Sequence, residues 1–187
     1  LNSDKKSATY MDKVITIFGS SGVTEGDEDY GNAESLGEKL SEQGFSLATG
    51  GYSGIMEAAL KGAVVGNGTR IGVTTEEYPD KKPNRFVNEE IRERSYIERL
   101  MKLIELGDSY VIFPGGTGTL LELISLWTMW ERNLIYDKIA ICIGENWDKV
   151  INSISSNLET RDDIHKFLFF ERDMDKVINK LLNHFSE

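Results

Sequence analysis

One stretch constrains the architecture of this chain more than any other: Val111-Ile112-Phe113-Pro114-Gly115-Gly116-Thr117-Gly118-Thr119-Leu120-Leu121-Glu122. The apolar run 110–113 reads as a buried strand, and Pro114 ends it because proline has no N–H to give to a ladder. Gly115, Gly116 and Gly118 then allow a tight turn that leaves backbone N–H groups free. An amphipathic segment follows, read as a helix over 118–130, so those donors sit at a helix N-terminus. Unpaired N–H groups and the positive end of the helix dipole together make an anion site. Thr117 and Thr119 add hydroxyls suited to phosphate oxygens. Glu122 lies one turn into the helix, at the same mouth. A carboxylate there repels phosphate, so it is aimed at another part of a ligand. Such turns also serve packing alone, and the rest of the chain has to weigh the two.

The same arrangement recurs upstream. Val14–Phe18 reads as the first strand and runs into Gly19-Ser20-Ser21-Gly22. Small residues at the carboxyl end of a strand are where open α/β sheets take ligands, although an ordinary turn looks the same. Ala33, Leu36, Gly37 and Leu40 mark a helix face, with Gly44 as its C-cap. A strand over 45–48 leads into Thr49-Gly50-Gly51-Tyr52-Ser53-Gly54-Ile55-Met56 and a further helix. Residues 71–74 read as the third strand. Residues 75–86 are polar and read as a long loop, the kind that serves as a binding loop or lid, with a short strand near 85–88.

Residues 90–107 read as a charged helix with an apolar stripe of Ile97, Leu100, Met101, Leu103 and Ile104, and with Arg92, Arg94 and Arg99 as its cations. The helix over 118–130 is apolar nearly all round, so it is buried on more than one side, within the core or at a dimer interface. Trp127, Met129 and Trp130 read as core or interface. A strand over 138–143, a helix over 147–158 capped by Asn146, a strand over 165–170 and a helix over 173–185 close the chain. Strands alternate with helices throughout. The expectation is an α/β, doubly wound, mainly parallel sheet with helices on both faces and the glycine loops along its carboxyl edge.

Composition limits what such a domain can do. With 21 basic and 31 acidic residues the net charge is −10, which argues against non-specific nucleic-acid binding. The single cysteine, Cys142, lies in an apolar run and reads as a buried structural thiol, consistent with a reducing compartment such as the cytoplasm. No stretch approaches the length of a membrane span, and no signal-peptide pattern opens the chain. Residues 1–11 are expected to be a disordered tail and 12–187 a single domain. His165 and His184 suggest no metal pair, and neither metal nor cofactor is expected.

The run Pro114-Gly115-Gly116-Thr117-Gly118-Thr119-Leu120-Leu121-Glu122 resembles the PGGxGTxxE signature of the LOG family, and residues 50–56 resemble its GGxxGxM element. The resemblance spans about residues 12–154. It implies a Rossmann-like fold, a homodimer and phosphoribohydrolase activity: cleavage of the N-glycosidic bond of a nucleoside 5′-monophosphate, AMP or N6-modified AMP, to free base and ribose 5-phosphate. It also implies Arg99 and Glu122 as the catalytic pair. Gly115, Gly116, Thr117, Gly118 and Thr119 would hold the phosphate, with Gly19, Ser20, Ser21, Gly50, Gly51, Gly54 and Met56 as further nucleotide-binding positions. A carboxylate beside C1′ can stabilise the positive charge that develops on the sugar, and Arg99 can hold Glu122, ribose or phosphate in place.

Three positions depart from the family pattern. Leu100 follows Arg99 where lysine is common, Tyr96 stands where methionine is usual, and Leu121-Glu122 carries one acid where two are common. These place the chain nearer a divergent branch that resembles molybdenum-cofactor carriers and proteins described as related to DNA-processing factors. A carrier would use the same loop to hold a phosphorylated ligand without cleaving it.

Overall fold

The computed structural model describes residue 10 and residues 13–160 and 164–186. Its strands are β1 (Val14–Phe18), β2 (Ser46–Thr49), β3 (Arg70–Thr75), β4 (Glu89–Glu93), β5 (Ser109–Ile112), β6 (Ala140–Ile143) and β7 (Leu168–Glu171). They alternate with helices α1 (Glu28–Glu42), α2 (Ile55–Gly62), α3 (Tyr96–Leu106), α4 (Thr117–Glu131), α5 (Asn146–Asn157) and α6 (Met174–His184). The seven strands form one sheet in the order β4-β3-β2-β1-β5-β6-β7. Every pairing is parallel. This is the α/β, Rossmann-like arrangement that the alternation of elements predicts.

Parallel strands need helices on both faces, and the core divides accordingly. Ile15, Ile17, Val111 and Ile141 face α1, α2 and α6 on one side. Phe18, Tyr110, Ile112 and Cys142 face α3, α4 and α5 on the other. Trp127 and Trp130 are core residues, and Trp130 stacks on Phe167 at 5.5 Å. Cys142 is fully buried, and burial raises the pKa of its thiol. Among the described residues no helix is long and apolar enough to cross a membrane. Of the expected tail, residues 1–9 and 11 lie outside the described residues, whereas Tyr10 stacks on Phe45 at 4.8 Å.

The main departure from expectation lies at 85–107. The structure has no strand at 85–88, and the first residues of the expected helix form the edge strand β4 instead. Glu89–Glu93 pairs with Ile71–Thr75, and its charged residues lie on an unpaired edge, where charge is tolerated and discourages further pairing. The helix starts only where Ser95 can cap it. Ser95 accepts from the Glu98 N–H while the Glu98 carboxylate accepts from the Ser95 N–H, a reciprocal capping box. Its inward face is Arg99, Leu100, Leu103 and Ile104, while Ile97 and Met101, expected in the stripe, are exposed. Smaller shifts occur elsewhere. Gln43 rather than Gly44 is the C-cap of α1, Glu145 rather than Asn146 precedes α5, and a 3-10 turn at Ile164–Lys166 delays the last strand to Leu168.

Chain order runs outward from β1 to β4 on one side and from β5 to β7 on the other, so the direction of winding reverses between β1 and β5. The loops after these two strands diverge, and a crevice at this switch point is where open α/β sheets bind ligands. Here the Ser20 N–H donates to the Pro114 carbonyl across it, at 3.1 Å.

Candidate functional site

Loops following β1, β2, β3 and β5 converge on a cavity of about 980 Å³, a volume suited to a nucleotide-sized ligand. Its floor is the start of α4. Gly116 is the N-cap, and no side chain caps the helix. Gly116, Thr117, Gly118 and Thr119 all line the cavity, so the free N–H groups of the first turn open onto it. Ser20 and Ser21 face them from the loop after β1. That loop is fixed by its neighbours: the Ile55 N–H donates to the Ser20 carbonyl at 2.9 Å and the Ser53 hydroxyl to the Ser21 carbonyl at 3.0 Å.

Glu122 also lines the cavity, yet it is only 9% exposed. No described residue donates a hydrogen bond to its carboxyl or forms an ion pair with it. Burial without a partner pushes its pKa up to about 8, against a smaller opposing pull from Arg99. Tyr96 stands beside it, with its phenol pKa raised by burial and by Glu122.

Arg99, 5% exposed, comes from α3. Its Nε donates to the Val73 carbonyl at 2.7 Å and its Nη2 to the Gly50 carbonyl at 3.0 Å. It therefore ties together the carboxyl ends of β2 and β3. Its guanidinium lies 5.5 Å from the Tyr52 ring centroid and 5.8 Å from that of Tyr96. Gly50 is what makes room, since a Cβ there would fall within 1.7 Å of Nη2. Tyr52, Tyr78 and Tyr96 form a row along one wall, in edge-to-face contacts at 6.0 and 6.3 Å.

The structure brings most of the residues singled out from sequence to one place. Arg99, Glu122, Gly19, Ser20, Ser21, Met56, Gly116, Thr117, Gly118 and Thr119 line the cavity. Gly115, Gly50, Gly51 and Gly54 do not. Gly115 packs against Thr119, and Gly51 offers its carbonyl to Asn84. Gly54, at φ +72°, lies so close to the loop after β1 that a Cβ would meet the Ser20 carbonyl at 2.2 Å. These glycines build the wall rather than the surface. Sequence reasoning missed Tyr52, Ser53, Glu57, Tyr78, Lys81, Lys82, Asn84 and Arg85, all of which line the cavity. The length and polarity of the loop at 75–86 were the available signal for five of them. Four cations (Lys81, Lys82, Arg85, Arg99) and two acids (Glu57, Glu122) surround the space, so the cavity of this acidic chain is locally cationic.

Among curated proteins, the chain is 31% identical over 121 residues to the pyrimidine/purine nucleotide 5′-monophosphate nucleosidase of Escherichia coli K12. That match covers 60% of this chain but 26% of the nucleosidase, so it spans about a quarter of that relative. It is 26% identical over 139 residues to the cytokinin riboside 5′-monophosphate phosphoribohydrolase of Rhodococcoides fascians, covering 72% of this chain and 69% of that protein. Among solved structures, the molybdenum cofactor binding protein of Rippkaea orientalis superposes with a TM-score of 0.73 at 20% identity, over 91% of this chain and 96% of that one. That likeness supports the fold. Residues 12–163 match the SLOG cluster4 family, so the chain belongs to this family of the LOG-like superfamily.

Proposed function

We propose that the protein is a nucleoside 5′-monophosphate phosphoribohydrolase, and the observation that carries this reading is Glu122. A buried carboxyl with no partner among the described residues is costly unless a ligand uses it. It sits one turn beyond a free helix N-terminus, beside the same cavity, so a ligand whose 5′-phosphate is held by the first turn of α4 presents its sugar to it. In the reaction the C1′–N bond breaks with its electron pair passing to the base. Water adds to C1′, one of its protons ends on the base, and ribose 5-phosphate is released. The Glu122 carboxylate opposes the positive charge that grows at C1′. Arg99 acts as a positioning residue, holding the wall beside Glu122 and favouring its ionised form. Two curated relatives are named as a nucleotide 5′-monophosphate nucleosidase and a riboside 5′-monophosphate phosphoribohydrolase, and this similarity supports the reading.

Chromatography of AMP and a panel of other nucleoside monophosphates, incubated with the protein, is expected to give free base and ribose 5-phosphate. Because the ionised carboxylate is the working form, kcat/KM rises about tenfold per pH unit below a pKa of about 8 and levels above it. No turnover across the panel would overturn the reading.

One observation favours a carrier instead. At neutral pH a carboxyl with a pKa of about 8 is mostly protonated, a state suited to holding a ligand rather than to stabilising a cation. A carrier shows a raised melting temperature with ligand and no product.

The protein is also read as a cytoplasmic homodimer that needs no cofactor. Ile97, Met101 and Leu121 leave large apolar side chains exposed on α3 and α4, which supports the dimer. Light scattering at micromolar concentration is expected to give twice the chain mass, and Met101→Glu with Leu121→Glu the mass of a single chain.

A further inference from the structure

We propose that the natural ligand carries a second anionic group at the end remote from its phosphate, held by Lys81, Lys82 and Arg85. This rests on the reading that α4 holds a phosphate. The three cations come from the loop after β3, and all line the cavity. In a chain with ten more acidic than basic residues, none of them forms an ion pair with a described residue. All three side chains are exposed, but the loop that carries them is anchored. The Asn84 backbone N–H donates to the Gly51 carbonyl at 2.7 Å, and its Nδ2 donates to Gly51 and Tyr52 carbonyls at 3.1 and 2.8 Å. The Lys81 ammonium is held over two rings, 4.7 Å from the Tyr78 centroid and 5.5 Å from that of Tyr52. An anchored loop with one cation held over aromatic faces lowers the ordering cost of binding.

Position separates this cluster from the first anion site. Tyr96 abuts the first turn of α4, where its hydroxyl lies 3.3 Å from the place a Gly118 Cβ would take. Tyr78 comes next, and Lys81 lies beyond it. In the sheet, β3 is three strand spacings from β5, or about 14 Å at the carboxyl edge. The two sites thus rise from separate strands, and a nucleotide laid along the tyrosine row places its base end near the loop. An apolar substituent on that base would desolvate three cations without pairing them, so this end of the cavity selects against it. The second anion is therefore a carboxylate on the base.

Calorimetry of the full chain with three ligands tests this. AMP supplies one anion, N6-(1,2-dicarboxyethyl)-AMP adds carboxylates at the base, and adenosine 3′,5′-bisphosphate adds a phosphate at the sugar. N6-(1,2-dicarboxyethyl)-AMP is expected to bind at least tenfold more tightly than AMP, and adenosine 3′,5′-bisphosphate, whose second anion lies beside the first, no more than a few-fold more tightly. In Lys81→Ala/Lys82→Ala/Arg85→Ala the ratio of the dicarboxyethyl ligand's affinity to that of AMP falls towards one, and raising the salt lowers the wild-type ratio. AMP binding with no advantage for the dicarboxyethyl ligand, an advantage for the bisphosphate alone, or a ratio unchanged in the triple variant overturns the inference alone. Failure of all three to bind overturns the phosphate reading as well.

Discussion

Replacing Glu122 with glutamine is expected to abolish base release and, at pH 8, to raise the melting temperature. Both effects have one cause. The carboxyl is buried with a pKa of about 8, whereas in an unfolded chain it lies near 4.5. Below about pH 4 it is protonated in both states and costs nothing. Between about pH 4.5 and 8 the unfolded chain gives up this proton while the native state keeps it. Native stability then falls by up to ~1.4 kcal/mol per pH unit, and above 8 the loss is complete. Glutamine resembles the protonated acid and has no charge to bury, so it avoids that loss. The variant's advantage therefore grows from nothing at pH 4 to a few kcal/mol at pH 8, roughly 5–10 °C for a chain of this size. Turnover moves the opposite way. A neutral amide cannot oppose the charge on the sugar, and the loss is on the order of a thousandfold or more. Calorimetric scans at pH 4 and pH 8, with single-turnover assays on the same preparations, read both. Equal melting temperatures for variant and wild type at pH 8 would mean that the carboxyl pays no burial cost, and retained turnover would remove it from the chemistry. A stabilising substitution that destroys function marks a residue kept at a cost to the fold.

Most of this arrangement is legible in the sequence because it rests on local rules. The strand-to-helix turns at 19–22, 50–54 and 114–116 announce themselves through glycine after apolar runs, and alternation of elements puts all three on one sheet edge. What is not legible is set by tertiary contact. Edge strand β4 reads as helix because its Glu and Arg residues are good helix formers, and only pairing with β3 makes them a strand. The Ser95-to-Glu98 capping box was the local clue that the helix starts later. Ile97 and Met101 fit an apolar stripe, but the buried position on α3 is taken by Arg99. A charged side chain can sit there because two strand-end carbonyls and two aromatic faces receive it, and of these only Tyr96 is near in sequence. The aromatic wall is missed for the same reason, since Tyr52, Tyr78 and Tyr96 come from three separate elements.

Arg99 carries the second large effect. It holds its charge where no described carboxylate lies within ion-pair distance. The compensation comes from the Val73 and Gly50 carbonyls and from the faces of Tyr52 and Tyr96. Arg99→Ala leaves those two carbonyls without their side-chain donor and removes the filler between β2, β3 and α3. The cost is on the order of 3–5 kcal/mol, a large part of the stability of an ordinary domain. The informative variant is therefore Arg99→Lys, which keeps the charge but lacks the planar fork that reaches both carbonyls at once. Turnover is expected to fall about a hundredfold because the wall beside Glu122 loosens. A purely structural role would stop there. Arg99 also lowers the pKa of Glu122, and an ammonium drawn to one carbonyl does so less well. The rising limb of kcat/KM, near pH 8 in the wild type, is then displaced to higher pH in the variant, so the relative deficit shrinks in alkaline buffer. A limb that stays in place while the rate falls would mean that Arg99 acts on the ligand and not through Glu122, and that the carboxyl owes its state to burial alone.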